Sequence, residues 1–420
     1  METLKELQAL PLDDKIALSR ARIAEWYKFW DGDVYISFSG GKDSTVLRDL
    51  VHSMYPEVPC VWVNTGLEYP EIQQFVRSDP DSVIVRPAVD FKTVITEYGY
   101  PLISKEVSEA IYYARRKHPK ISGGGGGVQT PSRSESPNQL DEANGTPRAE
   151  KRPADGKTSS ASGGRGQRKN VTRQLLLGTY SPSKQWIEKH SGGAGNLKIA
   201  NGPNAGVKSP FNKEKWLPIA RDLPVRISHK CCDVMKKSPL NKYQRKEKLH
   251  PYLGTMAEES RLRTQAWIRH GCNAFDSTKK TSSPMAFWTE QDVLEYIKRY
   301  GLEYAAPYGD LTVDENGLLK FTGYDRTGCI YCAFGMHIEK GKSRFERLKL
   351  THPRLYDYSV GGGQWIDNPD YDPDYDGEPD DLGWIEWNPP KLWVPSAKGL
   401  GLGKVFDMAN EIMGKELWRY

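Results

Sequence analysis

The sequence predicts an α/β protein built on a doubly wound parallel sheet. Short apolar runs bounded by turn residues recur through the N-terminal part, and each is followed by a stretch with helical apolar spacing. A glycine-rich turn joins the first such run to its helix, the position at which open parallel sheets receive anions.

The elements follow in order. DKIALSRARIAEWYKFW (14–30) places Ile16, Ala17, Ala21, Ile23, Ala24, Trp26, Tyr27 and Trp30 at helical spacing, an amphipathic entry helix. VYISFSG reads as a buried strand, SGGKDS as a turn and STVLRDLVHSMY as a helix. A second strand (CVWVNTG, 60–66), a helix from Pro70, a third strand (SVIVRPA, 82–88) and a helix over 90–98 continue the alternation. Residues 121–170 are rich in Gly, Ser, Pro and charge and nearly lack large apolar side chains, so they read as a disordered insertion. Regular structure is expected again from Thr172 to about Asp276, followed by a helix in TEQDVLEYIKRYG (289–301), where Thr289 and Asp292 form a capping-box-like start. An acidic, Tyr/Trp-rich stretch and a closing helix near 404–415 complete the chain, without internal repeats. The expected units are a nucleotide-binding half with its entry helix (1–120), the insertion (121–170), a mainly helical, cysteine-bearing remainder (171–345) and a C-terminal extension (346–420).

The composition is that of a soluble protein: of 420 residues, 38% are hydrophobic and 27% charged, and no run approaches the roughly 18 apolar residues of a membrane span. METLKELQALPLDD lacks the pattern of a secretory signal, which points to the cytoplasm, where clustered thiols bind metal more often than they form bridges. The net charge of +5 does not by itself identify a nucleic-acid binder. The basic segments ARRKHPK (114–120) and KKSPLNKYQRKEK (236–248) and the acidic DNPDYDPDYDGEPDD (367–381) read as solvated faces and loops. The basic segments and the insertion would suit a nucleic-acid acceptor, since Lys and Arg engage phosphates without regard to base sequence.

The sharpest motif runs from Ser37 through Ser39, Gly40, Gly41, Lys42, Asp43 and Ser44, between strand and helix. Paired glycines let the backbone approach an anion, amides at the helix start attract negative charge, Ser39 and Ser44 offer hydroxyls, and Lys42 adds a point charge. The second feature is the cysteines. Cys231 and Cys232 are adjacent, and a bridge between neighbours is strained, because bridged Cα atoms prefer about 5.5 Å and a peptide holds them near 3.8 Å. Cys329 and Cys332 have C-x-x-C spacing, so four thiolates suit either a 4Fe-4S cluster or an all-cysteine zinc site, provided the fold brings the pairs together. Cys60 reads as core; Cys272 is either a packed thiol or a nucleophile.

The loop resembles the PP-loop, SGGxDS, of the adenine nucleotide α-hydrolase superfamily. That resemblance implies a Rossmann-like fold and cleavage of ATP at the α-phosphate, with Mg²⁺ neutralising the phosphates and Asp43 orienting metal or water. Cys231-Cys232 with Lys236, Pro239 and Leu240 resembles the CCxxxKxxPL segment of assimilatory adenylylsulfate reductases, which implies 4Fe-4S ligation together with Cys329 and Cys332. Asn64-Thr65-Gly66-Leu67-Glu68-Tyr69-Pro70-Glu71, the segment from Gly254 to Arg263 and FWTEQDVLEYI resemble further motifs of the phosphoadenosine-phosphosulfate reductase family, implying nucleotide contacts from Thr65, Gly66, Ser260 and Arg263.

Three departures separate the chain from those reductases. No cysteine follows Cys332 in the sequence, the phosphate loop is intact where theirs is degenerate, and Met256 stands where they carry an arginine. The expected activity is therefore ATP-dependent, cluster-assisted sulfur transfer or nucleic-acid modification, as in transfer-RNA thiolation enzymes and the DNA phosphorothioation component that the chain resembles; neither sulfur donor nor acceptor is specified. The alternatives are a reductase of adenylyl sulfate or its 3'-phosphorylated form, and a non-catalytic regulator that binds nucleotide and cluster.

Overall fold

The computed structural model describes residues 3–79, 82–115, 213–375 and 387–420. The expected insertion (121–170) and the resumption near Thr172 lie outside these residues. Two helices, α1 (Leu4–Gln8) and α2 (Leu12–Phe29), lead into β1 (Val34–Ser37), α3 (Lys42–His52), β2 (Cys60–Val63), α4 (Pro70–Arg77), β3 (Ser82–Val85) and α5 (Phe91–Glu97). Then come β4 (Leu102–Ile103), α6 (Lys105–Ala114), α7 (Leu217–Asp222), α8 (Ser238–Glu247), β5 (His250–Leu253), α9 (Arg261–His270) and α10 (Glu290–Tyr300). The remaining elements are a hairpin of β6 (Leu311–Val313) and β7 (Leu319–Phe321), β8 (Ala333–Phe334), α11 (Arg344–Thr351), α12 (Pro353–Val360), β9 (Gln364–Asp367), β10 (Lys391–Val394) and α13 (Leu402–Met413).

The main sheet is parallel, in the order β3-β2-β1-β5, and its helical crossovers make the fold Rossmann-like α/β. Burial explains the sequence pattern: every side chain of β2 and the first three of β1 are buried, as expected of strands covered on both faces. β5 was not foreseen, because HPYL carries a proline; Pro251 is tolerated since β5 is the last strand of the sheet, and its far side meets only an isolated bridge, Tyr252 with Ser282. The chain moves outward from β1 through β2 to β3, and β5 lies on β1's other side. The carboxyl ends of β1 and β5 therefore flank a crevice at the point where strand order reverses, the usual ligand position in open α/β sheets.

The entry helix buries Leu12, Ile16, Ile23 and Trp26 in a helical stripe that also carries Lys15 and Ser19. Both polar groups are satisfied. Lys15 Nζ lies 2.7 and 2.8 Å from the Asp292 carboxylate oxygens and 2.8 Å from the Gln8 carbonyl, and Ser19 Oγ accepts from Trp288 Nε1 at 2.9 Å. Asp292 also closes the expected capping box, accepting from the Thr289 amide at 2.6 Å, so one carboxylate fixes the start of α10 to α2.

A short extended segment, Tyr100–Ile103, joins distant parts of the chain. Tyr100 bridges Ile227, with Tyr100 N–H donating to Arg226 O at 2.7 Å and Ser228 N–H to Tyr100 O at 3.1 Å. Leu102 and Ile103 pair with Ala333 and Phe334, and Gly335 N–H donates to Ile103 O at 2.7 Å. The approach is close enough to require glycine at 99: φ is +115°, and a Cβ there would lie 2.4 Å from the Arg226 carbonyl carbon. Ile103, fully buried, is held at φ +70°, a costly conformation for a β-branched residue.

Two segments read as solvated turn partly inward. Arg115 donates to the carbonyls of Ile219 (2.7 Å), Ala220 (2.8 Å), Leu223 (3.1 Å) and Val225 (2.6 Å), in and just after the last turn of α7, and lies 4.3 Å from the Trp387 ring centre. Lys236 is turned toward the cysteines, whereas Lys246 on α8 is exposed. In the acidic stretch, Asp370 pairs with Arg226 at 2.9 Å. Among the described residues no helix is long and apolar enough to cross a membrane. Gly99→Ala is expected to lower stability by about 3 kcal/mol, from the backbone clash and the forbidden φ, measured as a shift in the urea-unfolding midpoint; an unchanged midpoint would show that the 99–103 segment does not hold the fold together.

Candidate functional site

The phosphate loop leaves β1 at the crevice and enters α3 at Lys42. Gly40 has φ +71°, and a Cβ there would lie 2.7 Å from Val76 and 2.9 Å from Ile72, so α4 packs directly on the turn. Ser39 and Ser44 are bonded to each other (Oγ–Oγ 3.0 Å), Ser44 Oγ also donates to Gly41 O at 2.9 Å, and Gly41 N–H donates to Ser39 Oγ at 3.3 Å. From across the crevice, Gly254 after β5 presses on α3: a Cβ would meet Asp43 O at 2.9 Å. Ser37 ends β1 beneath the loop.

Lys42 is buried, its side chain only 2% exposed. Its ammonium lies 3.1 Å from Asp325 O, 3.2 Å from Glu290 Oε1 and 3.6 Å from Asp43 Oδ1, and its main-chain amide donates to Tyr308 Oη at 3.1 Å. Burial pushes the Asp43 carboxyl up; Lys42 and Arg326 pull it back, and Glu290 pushes it further. Asp43 Oδ1 is buried without a hydrogen-bond partner. An orphaned oxygen at a phosphate loop suits a divalent cation, which prefers oxygen ligands, so Mg²⁺ fits beside Asp43.

The loop after β5 supplies the other wall. Ser260 caps α9 by accepting from Arg263 N–H at 3.3 Å, and Arg263 is paired with Glu259. Arg326 reaches the same carboxylate at 3.2 Å. Burial and the neighbouring Arg326 lower the Arg263 guanidinium's affinity for its proton, while Asp43 opposes them. Met256, in place of the family arginine, is buried, and Arg326 from the distant DRTGC segment brings a guanidinium to the same wall. Tyr308, Glu290 and Arg326 escaped the sequence reading because their relation to the loop exists only in three dimensions.

Thr65 and Gly66 follow β2. Thr65 Oγ1 donates to Glu68 Oε1 at 2.7 Å and its amide to Glu68 Oε2 at 3.2 Å, while Gly66, at φ +72°, has open space where a side chain would stand. Lys236 Nζ lies 3.7 Å from the same Glu68 and is near the Cys329 sulfur; burial works against its charge, but Cys329 and Glu68 together push the ammonium up. A chain of polar contacts thus runs from the Thr65 loop through Glu68 and Lys236 to the cysteines. Lys236 sits in a π-helical turn (Asp233–Lys237) that begins directly after Cys232.

The four predicted ligand cysteines share one neighbourhood: Cys231 interacts electrostatically with Cys232, Cys329 and Cys332, and Cys332 with Cys329 and Cys232. Burial raises the Cys231 and Cys329 thiols and pushes Cys332 up to about 12, so each releases its proton most readily to a cation. Among the described residues no group of three or more His, Cys, Asp or Glu side chains is arranged around one metal ion. The donor set, one buried and three partly buried thiols with a lysine beside one sulfur, is chemically suited to an iron–sulfur centre.

Cys60 is buried in β2, as a core residue should be, and Trp288 is fully buried. Cys272 lines a separate cavity of about 650 Å³ with Leu7, Arg22, Trp267 and Phe287, away from the phosphate-loop residues. Burial pushes its thiol up to about 11, which favours a packed thiol over a nucleophile. Alkylation of Cys272 by iodoacetamide, followed by peptide mass spectrometry, should therefore keep accelerating about tenfold per pH unit up to pH ~10. A plateau near pH 9 would mean an ordinary thiol.

No curated protein matches the chain. The family model for the phosphoadenosine phosphosulfate reductase domain matches residues 33–85 and 195–334. These segments carry the phosphate loop, the Thr65 loop, the Ser260–Arg263 wall and all four cysteines, and the match supports that family for the part of the chain that forms the site.

Proposed function

We propose that this protein binds ATP on the Ser39–Ser44 loop and cleaves it between the α- and β-phosphates for sulfur transfer to an acceptor. The observation that carries the reading is the adjacency of two sites: an intact phosphate loop at the carboxyl end of β1 and, at the carboxyl end of the neighbouring β2, the Thr65 loop, which polar contacts through Glu68 and Lys236 link to the cysteines.

In this reading the triphosphate lies across the Gly40–Gly41 turn, where free backbone approach and the start of α3 attract negative charge. Lys42 neutralises the departing pyrophosphate, and Asp43 would hold Mg²⁺, which neutralises phosphate charge, with the oxygen that has no hydrogen-bond partner. Arg263 and Arg326, on the wall after β5, face the developing charge at the α-phosphate. An acceptor oxygen attacks the α-phosphorus, the bond to the bridging oxygen breaks, and pyrophosphate leaves with that electron pair; sulfide then displaces AMP from the activated acceptor. Cys231, Cys232, Cys329 and Cys332 would hold a 4Fe-4S cluster, with zinc as the other metal such thiols take; when bound, a cluster supplies sulfide or electrons beside the nucleotide. Lys236 offsets negative charge on the cysteine sulfurs and, through Glu68, keeps Thr65 in place. A nucleic acid is the acceptor class that the exposed basic side chains of α8 would suit.

The family match itself favours a second reading, reduction of adenylyl sulfate or its 3'-phosphorylated form. Calorimetry on anaerobically purified protein separates the two, with iron content and visible absorption recorded on the same sample. ATP is expected to bind more tightly than adenylyl sulfate, with Lys42→Ala weakening ATP by at least tenfold, an ion pair to phosphate being worth about 1.5–3 kcal/mol. Iron and the absorption band should disappear in Cys329→Ser. Tighter adenylyl sulfate binding with sulfite release would establish the reductase. ATP binding without pyrophosphate release, whatever acceptor is offered, would indicate a regulator.

A further inference from the structure

We infer that Glu290 is a specificity-determining residue of the phosphate loop: its carboxylate occupies the point on Lys42 that a phosphate group of the ligand must take, so polyphosphates bind in competition with it. The inference rests on the nucleotide reading above and adds a residue that no sequence motif assigns.

The Lys42 ammonium donates to the Asp325 carbonyl and pairs with Glu290 at 3.2 Å, while Asp43 Oδ1 stands off at 3.6 Å, beyond hydrogen-bond distance. The ammonium is shut from solvent, so a phosphate reaches it only by displacing one of them. Asp325 contributes a main-chain carbonyl, and Asp43 adjoins Lys42 on the same helix with most of its side chain buried. The Glu290 side chain is 47% exposed and can swing outward. Its backbone cannot follow, because the Glu290 amide donates to Glu258 Oε1 at 2.6 Å and the start of α10 is tied to Lys15 through Asp292. The neighbouring anion position, the Lys42 amide, is taken by Tyr308, whose buried ring leaves it no comparable exit. Glu290 is thus the movable partner. It repels an incoming phosphate by like charge while it stays and frees Lys42 when it leaves; a ligand that places no phosphate at this point is indifferent to it.

The test is calorimetric binding of inorganic pyrophosphate, ATP and AMP in magnesium-free buffer at fixed ionic strength. Glu290→Gln should tighten pyrophosphate and ATP by about fivefold, the size of a partly exposed ion pair, and leave AMP unchanged. Glu290→Ser, which keeps a good helix start, should give the same gain, and neither should gain anything in a Lys42→Ala background. If wild-type protein binds pyrophosphate and the Glu290 variants bind it equally or more weakly, the inference falls and the ATP reading stands. If neither wild type nor variant binds ATP or pyrophosphate, with or without added Mg²⁺, both fall.

Discussion

The arrangement of this molecule depends on one stretch of main-chain hydrogen bonding, the pairing of Tyr100–Ile103 with the segments that precede both cysteine pairs or follow them. On one side it holds Arg226–Ser228, a few residues before Cys231; on the other it holds Ala333–Gly335, directly after Cys332. No side-chain attraction between thiols could do this, since thiols offer one another little. The backbone must supply the juxtaposition, and the positive φ of Ile103 and the contact at Gly99 are the local strain accepted for it.

The phosphate loop is positioned by a different constraint. Its geometry comes from packing on three sides: α4 against Gly40, Gly254 against Asp43, and Tyr308 against the Lys42 amide. Each neighbour belongs to a separate part of the chain, so the loop is shaped by the completed sheet as well as by its own glycines. The charge around it is dense and mixed, with Lys42, Arg263 and Arg326 interleaved among Asp43, Glu259 and Glu290. A site of this kind is electrically near balance before any ligand arrives, and the ligand must replace contacts already made.

The parts of the fold legible in the sequence were those governed by local chemistry. VYIS and CVWV are uninterrupted apolar runs, the loop is a contiguous motif, and Thr289 with Asp292 signals a helix start within four residues. β5 was missed because Pro251 argues against a strand except at an edge, and nothing local says where the edge is. The inward turn of Arg115 was missed for a similar reason: its partners are four carbonyls at the end of a helix about a hundred positions away, invisible to a composition that reads as solvated. The spacing of the cysteines suggested a common site but gave no means of bringing them together, and the means proved to be an unremarkable YPLI.

The long-range pairing at Tyr100–Ile103 also sets an order of events during synthesis. β1, β2 and β3 are close neighbours in sequence and can pair as soon as they emerge, whereas Tyr100–Ile103 must wait for partners that are made much later. A nascent chain therefore assembles most of its sheet while its sulfur ligands are still apart. A centre that uses all four cysteines could therefore be completed only after the Phe334 segment has docked.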